Sequence, residues 1–124
     1  MNRKSDAASA YKESTYENAP PIKVVRMMYA GALRFLGEAE AIDPKQNPGG
    51  FAQKVNRVDA IVSELRLALD HGPAPELSKN LTALYLFVES QLREAVLQQQ
   101  TDHLAEARRV LETLGDAWKQ VEVE

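Results

Sequence analysis

The chain of 124 residues contains no cysteine, which excludes disulfides, thiolate metal sites and a cysteine nucleophile and fits a reducing, cytoplasmic compartment. Its longest unbroken apolar run, Ala83 to Val88, falls far short of the roughly 18 residues that cross a bilayer. Membrane insertion is therefore not expected. The opening stretch Met1-Asn2-Arg3-Lys4-Ser5-Asp6-Ala7-Ala8-Ser9 also lacks an apolar segment of signal-peptide length, so the general secretory route is not expected either. Neither sign of charge dominates: fifteen Lys and Arg against eighteen Asp and Glu give a net charge of -3, with the signs interspersed. With no basic stripe to neutralise a row of phosphates, nucleic acid is not an expected partner.

Catalytic and metal-binding patterns are equally sparse. His71 and His103 are the only histidines, and neither stands in the Glu-x-x-His pairing that builds a metal site inside a helical bundle. His103 and Glu106 share a helix face in the reverse order, a spacing that arises readily by chance. Ser63, Ser78 and Ser90 fall within or at the ends of helical patterns rather than on a nucleophile elbow. Gly49-Gly50 is not followed by the Gly-Lys-Ser/Thr of a phosphate loop. No catalytic residue, metal ligand or cofactor is assigned, and an enzyme is not expected.

What the chain does contain is helical periodicity. Residues 1–19 are polar and small apart from Tyr11 and Tyr16, and are expected to form a flexible N-terminal arm. Residues 20–124 follow as one domain. Pro20-Pro21 opens a first helix running to about Ile42, since proline is well tolerated at the first helical position. Two prolines and two glycines make Asp43 to Gly50 a loop. A second helix from about Phe51 to Leu69 places Phe51, Val55, Val58, Val62, Leu65 and Leu69 on one face. After Gly72-Pro73-Ala74-Pro75, a third helix from about Glu76 to Gln99 carries Leu77, Leu81, Leu84, Val88, Leu92 and Ala95. Thr101 or Asp102 can cap a fourth, with Leu104, Ala107, Leu111, Leu114, Trp118 and Val121. Amphipathic helices of this length joined by short loops imply an all-α, antiparallel four-helix bundle. Its expected core includes Tyr29, Leu36, Val58, Leu65, Leu84, Leu92, Leu111 and Trp118.

Two helices carry more apolar surface than one core face requires. In the first helix the apolar residues span an arc of roughly 200°, about twice what one interface needs. Either this helix is central and nearly surrounded, or an edge at Val24, Gly31 and Phe35 lines a groove for another chain. In the third helix Ala83, Leu86, Ser90 and Leu97 fall together opposite the main face, with Phe87 at the margin. These residues are either incidental exposed apolar groups or a shallow groove or self-association surface suited to the anchors of an amphipathic helix.

The order of several short pieces carries a resemblance. Tyr11 precedes Pro20-Pro21, then Met28-Tyr29-Ala30-Gly31-Ala32-Leu33-Arg34-Phe35, then Glu64-Leu65 to Leu69-Asp70, then Asn80-Leu81-Thr82-Ala83-Leu84-Tyr85. Over about residues 10 to 121 this layout resembles the FliS family of flagellar export chaperones, which hold flagellin before its secretion. The chain departs from the family pattern at Pro20, where a capping Ser is usual, and at Ala30, where Asp is usual. It departs again at Leu86-Phe87-Val88, which replaces an Asp-Tyr-Met-like stretch and makes an outward position apolar.

The resemblance implies a cytoplasmic chaperone, a monomer or weak homodimer, whose partner is the disordered C-terminal segment of flagellin. Components of the flagellar type III export gate are further candidate partners. It also implies that the arm lies over part of the client-binding surface, with Tyr11 at the matching family position. The candidate client-binding residues are thus Tyr11, Val24, Gly31, Phe35, Ala83, Leu86, Phe87, Ser90 and Leu97. The rival reading is a helical regulator or assembly factor that binds another helix or itself.

Overall fold

A computed structural model describes residues 21–121 of the chain. Within them lie four helices, α1 (Pro21–Glu40), α2 (Pro48–Leu67), α3 (Pro75–Gln98) and α4 (Asp102–Lys119). The helices pack as a ring: α1 on α2, α2 on α3, α3 on α4, and α4 back on α1. Short connections make each consecutive pair antiparallel, as the hydrophobic periodicity predicts. The arm expected at residues 1–19, and Tyr11 with it, lies outside the described residues.

Composition misplaces the start of α2. Pro48, Gly49 and Gly50 belong to its first turn rather than to the preceding loop. Asn47 sits at the N-cap, and its Oδ1 accepts from the Gly50 amide at 3.0 Å, while Pro48 needs no partner for a missing N–H. A Cβ on Gly50 would come within 2.5 Å of the Asn47 side chain, so glycine there leaves room for the cap. The α4 start follows the sequence less closely in detail. Thr101 occupies the N-cap position but makes no side-chain capping bond, leaving Asp102 in the first turn to complement the helix dipole.

The core draws on all four helices: Val25, Tyr29 and Leu36 from α1, Val58 and Leu65 from α2, Tyr85 and Leu92 from α3, Leu111 and Trp118 from α4. The Tyr29 and Tyr85 hydroxyls meet at 2.6 Å across the bundle interior, and burial pushes the Tyr29 phenol far above its ordinary range. One expected core residue is corrected. Leu84 is 37% exposed, whereas its neighbour Tyr85 is fully buried. The inward face of α3 runs through Leu81, Tyr85, Val88 and Leu92, and this spacing turns Leu84 toward the α4 side.

The ring also fixes the position of the first helix. With α2 on one flank and α4 on the other, α1 is a wall of the bundle and not its central column. Met27 is 66% exposed on its outer side.

Candidate functional site

The side chains that leave the core define two surfaces. The first is an apolar groove of about 240 Å³ between α3 and α4, lined by Leu84, Val110 and Leu114 with Arg109 and Thr113 at its edge. The polar groups here are already occupied. Thr113 Oγ1 donates to the Arg109 carbonyl at 2.8 Å, and the Arg109 guanidinium pairs with Glu106 one turn away. The groove therefore offers chiefly hydrocarbon to whatever enters it. Phe87, half exposed one turn beyond Leu84, continues the same edge.

Further apolar side chains lie on the outside of α3. Ala83, Leu86 and Leu97 are exposed, and Ser90 is half-buried. The Ser90 hydroxyl donates to the Phe87 carbonyl of its own helix at 2.8 Å, which leaves it little polar character toward solvent. Leu86 and Leu97 are eleven positions apart, a span of about 16 Å along the axis. The structure thus brings Ala83, Leu86, Phe87, Ser90 and Leu97 together, as the helical spacing predicts.

The second surface is the α1–α2 edge. Val24, Gly31 and Phe35 are all half-buried there. A Cβ on Gly31 would meet Ile61 Cδ1 at 3.6 Å, an ordinary van der Waals contact, so this position of α1 faces α2 with room for a methyl group. The Phe35 ring is ringed by cations, with Arg34 at 4.8 Å, Arg57 at 5.3 Å and Lys54 at 5.8 Å from its centroid. Glu38 takes Lys54 at 2.7 Å and lies 4.0 Å from Arg34. The Lys54 hydrogen bond, with the charges of Lys54, Arg34 and Arg57, holds the Glu38 carboxyl below its usual range against a smaller opposing effect of desolvation.

Sequence reasoning missed the groove because it assigned Leu84 to the core, read Leu114 only as part of the inward face of the fourth helix, and did not consider Val110. The available signal was the i, i+4 pair Val110 and Leu114, which widens the α4 apolar face toward α3 beyond the Leu104-Ala107-Leu111-Trp118 stripe.

A buried polar cluster joins α2 to α3. Glu89, only 5% exposed, accepts from Arg66 Nε at 2.6 Å and Nη2 at 3.1 Å, and from Ser63 Oγ at 2.7 Å. Burial pushes its carboxyl up, but these hydrogen bonds and the charges of Arg66 and Arg93 outweigh it and hold Glu89 below the carboxylate range. Asp59 goes the other way. Burial, then the Glu89 charge, raise it against the partial relief of Arg93 and Arg66, and its Oδ1 is buried without a partner. His103 bridges Gln91 at 3.0 Å and Gln98 at 3.2 Å, tying the α3–α4 corner. Among the described residues no three His, Cys, Asp or Glu side chains converge as metal ligands, and no helix is long and apolar enough to cross a membrane. The exposed apolar side chains of α3 and the α3–α4 groove suit non-covalent capture of an apolar segment.

Known proteins are similar to this chain over most of its length. The family profile described as "Flagellar protein FliS" matches residues 4–124. The "Flagellar secretion chaperone FliS" of Campylobacter jejuni is 30% identical over 115 residues, covering 93% of this chain and 90% of the relative. That of Escherichia coli is 28% identical over 87% of this chain and 80% of the relative. That of Bacillus subtilis is 27% identical over 90% of this chain and 83% of the relative. With the ring of four helices and a profile match that reaches from residue 4 to residue 124, the chain belongs to the FliS family of flagellar proteins.

Proposed function

We propose that this chain is a cytoplasmic flagellar secretion chaperone. It binds the disordered C-terminal segment of flagellin, prevents premature polymerisation and assists export through the flagellar type III apparatus. The observation that carries this reading is the apolar surface left outside a filled core: Leu84, Val110 and Leu114 in the groove, together with the exposed Phe87, Leu86 and Leu97 of α3. The names of the relatives support the same reading. A client that is unfolded alone orders on binding at an entropic cost, so an interface spread over several surfaces suits it better than one deep pocket. In this reading the α3–α4 groove and outer stripe take apolar anchors, and the α1 edge at Val24, Gly31 and Phe35 takes a further stretch of the same segment. The role is non-covalent throughout, and the chaperone acts as a monomer or weak homodimer. The arm, through Tyr11, competes for part of the client surface.

Calorimetry of the full chain with a C-terminal flagellin peptide several tens of residues long tests the proposal. Saturable binding is expected with that segment and none with the folded middle of flagellin. No heat and no complex at high micromolar concentration would return the bundle to the helical-regulator reading. In the same assay, a chain lacking residues 1–16 binds the peptide more tightly if the arm is a competitor.

A further inference from the structure

The α1–α2 edge has a chemistry that the α3–α4 groove lacks. Three cations, Arg34, Lys54 and Arg57, gather around the one Phe35 ring, against the single carboxylate of Glu38. This excess of positive charge sits on a chain whose net charge is -3. Glu38 engages Lys54 closely, but its only contact with Arg34 is at 4.0 Å, and the Arg57 guanidinium makes no hydrogen bond among the described residues. Two guanidinium forks are therefore held against an aromatic ring with most of their N–H groups unspent. Cation–π attraction to the ring does not use the in-plane N–H donors of the guanidinium, which remain for bidentate pairing with a carboxylate. The Arg34 side chain is 68% exposed. Two turns before Arg34 on the same side of α1 Met27 is exposed, and Gly31 between them carries no side chain, so apolar surface precedes the charges along the helix.

We propose that the Phe35 edge of α1 and α2 is a docking surface for an acidic, apolar-anchored peptide segment of the partner protein, its carboxylates paired with Arg34 and Arg57 and its apolar side chains spread along Met27, Gly31 and Phe35. Charge complementarity selects this occupant. A basic segment would meet three cations, and a purely apolar one would bury guanidinium groups without acceptors. The segment rests on the chaperone reading only for the identity of the protein that carries it.

The test uses the full chain and two labelled synthetic peptides, one built of Glu and Leu at helical spacing and its counterpart with Lys in place of every Glu. Fluorescence anisotropy is expected to show the Glu peptide binding about ten-fold or more tightly than the Lys peptide, with an affinity that falls as salt rises. Nuclear magnetic resonance is expected to show the Gly31 amide and Phe35 ring signals moving on titration. The double variant Arg34→Glu with Arg57→Glu reverses the preference between the peptides. A control, Lys23→Glu with Lys119→Glu, makes the same change of net charge at two exposed positions and leaves the preference as it was. Circular dichroism confirms that both variants keep the helical fold. Equal affinities for the two peptides, no binding at high micromolar concentration, or an equal effect of the control pair would each overturn the proposal. The flagellin calorimetry fails or succeeds independently. Glu-peptide binding at Phe35 without flagellin binding keeps the surface and changes only the owner of the segment.

Discussion

Replacing Arg66 with Met removes the cation from the buried cluster between α2 and α3 while keeping a side chain of similar length. Glu89 then loses two of its three hydrogen bonds, those from Arg66 at 2.6 Å and 3.1 Å, and keeps Ser63 at 2.7 Å. Breaking a fully buried ion pair by deleting one partner costs about 3–5 kcal/mol. The Glu89 side chain is 7% exposed, but Arg66 is 27% exposed, so solvent screens part of the interaction and about 2–3 kcal/mol is expected. In a domain of this size that lowers the midpoint of thermal unfolding by roughly 8–12 °C. The dependence on pH identifies the cause. Glu89 has a folded-state pKa below its ordinary value, so its contribution is fully present above the unfolded pKa and is lost as pH falls through the folded one. Asp59, raised in the folded state, destabilises when charged and gives that cost back as pH falls through its own pKa. Acidification thus acts on the two carboxylates with opposite sign, relieving Asp59 and weakening the Glu89 cluster. Without Arg66, burial governs Glu89 and its pKa rises, so the penalty of the substitution is largest at neutral pH and shrinks near pH 4. Urea melts of both proteins at pH 7 and pH 4 measure this. A penalty below about 0.5 kcal/mol, or one equal at the two pH values, would refute the argument. The double variant Arg66→Met with Glu89→Met is expected within about 1 kcal/mol of the parent, since an apolar pair leaves no buried charge behind.

Leu65→Ala and Leu111→Ala, both at fully buried positions, are expected to cost about 2–5 kcal/mol in chemical denaturation, whereas Leu84→Ala costs less than about 1.5 kcal/mol because that side chain lines an open groove. Leu86→Asp leaves the melt within about 0.5 kcal/mol of the parent, the position being half exposed. In calorimetry it weakens flagellin-peptide binding by at least about 2 kcal/mol if Leu86 lies in the contact, because the new carboxylate is buried without a partner. Asn47→Ala removes the α2 cap and is expected to lower stability by about 1 kcal/mol, read from the urea midpoint.

The all-α bundle was legible because each helix repeats apolar residues three and four apart over several turns, and tertiary packing honours that pattern at seven of the eight core positions singled out. The exception, Leu84, shows the limit of a periodicity argument. Leu84 and Tyr85 are adjacent, both apolar enough to be buried, and one helical step separates them on the wheel. Only the position of α4 decides which of the two faces inward. The boundary of α2 was obscured for a different reason, since Pro48-Gly49-Gly50 has loop composition and is recruited into the helix by Asn47. The outer stripe of α3 could be read as a stripe, whereas the groove could not, because it is made by two helices and belongs to neither alone. The cations around Phe35 were invisible for the same reason: Arg34 is its chain neighbour, but Lys54 and Arg57 come from α2.

Three of the four helix interfaces join elements consecutive in the chain, and the fourth, between α1 and α4, joins its two ends. The first three close over short connections, whereas the last must bring together segments separated by most of the domain, with a correspondingly larger entropic penalty. The bundle is therefore a split ring with a seam. The seam is fastened by Arg26, whose guanidinium donates to the Trp118 carbonyl at 2.8 Å and the Lys119 carbonyl at 3.3 Å. It is fastened too by Arg108, which pairs with Glu40 at the other end of α1, and between them Tyr29 and Leu33 pack over the buried Gly115 of α4. A barrel of this kind opens by unbuttoning rather than by swelling. Amide exchange is expected to run ahead of global unfolding along the α4 side of this seam, while the α2–α3 pair holds to the end.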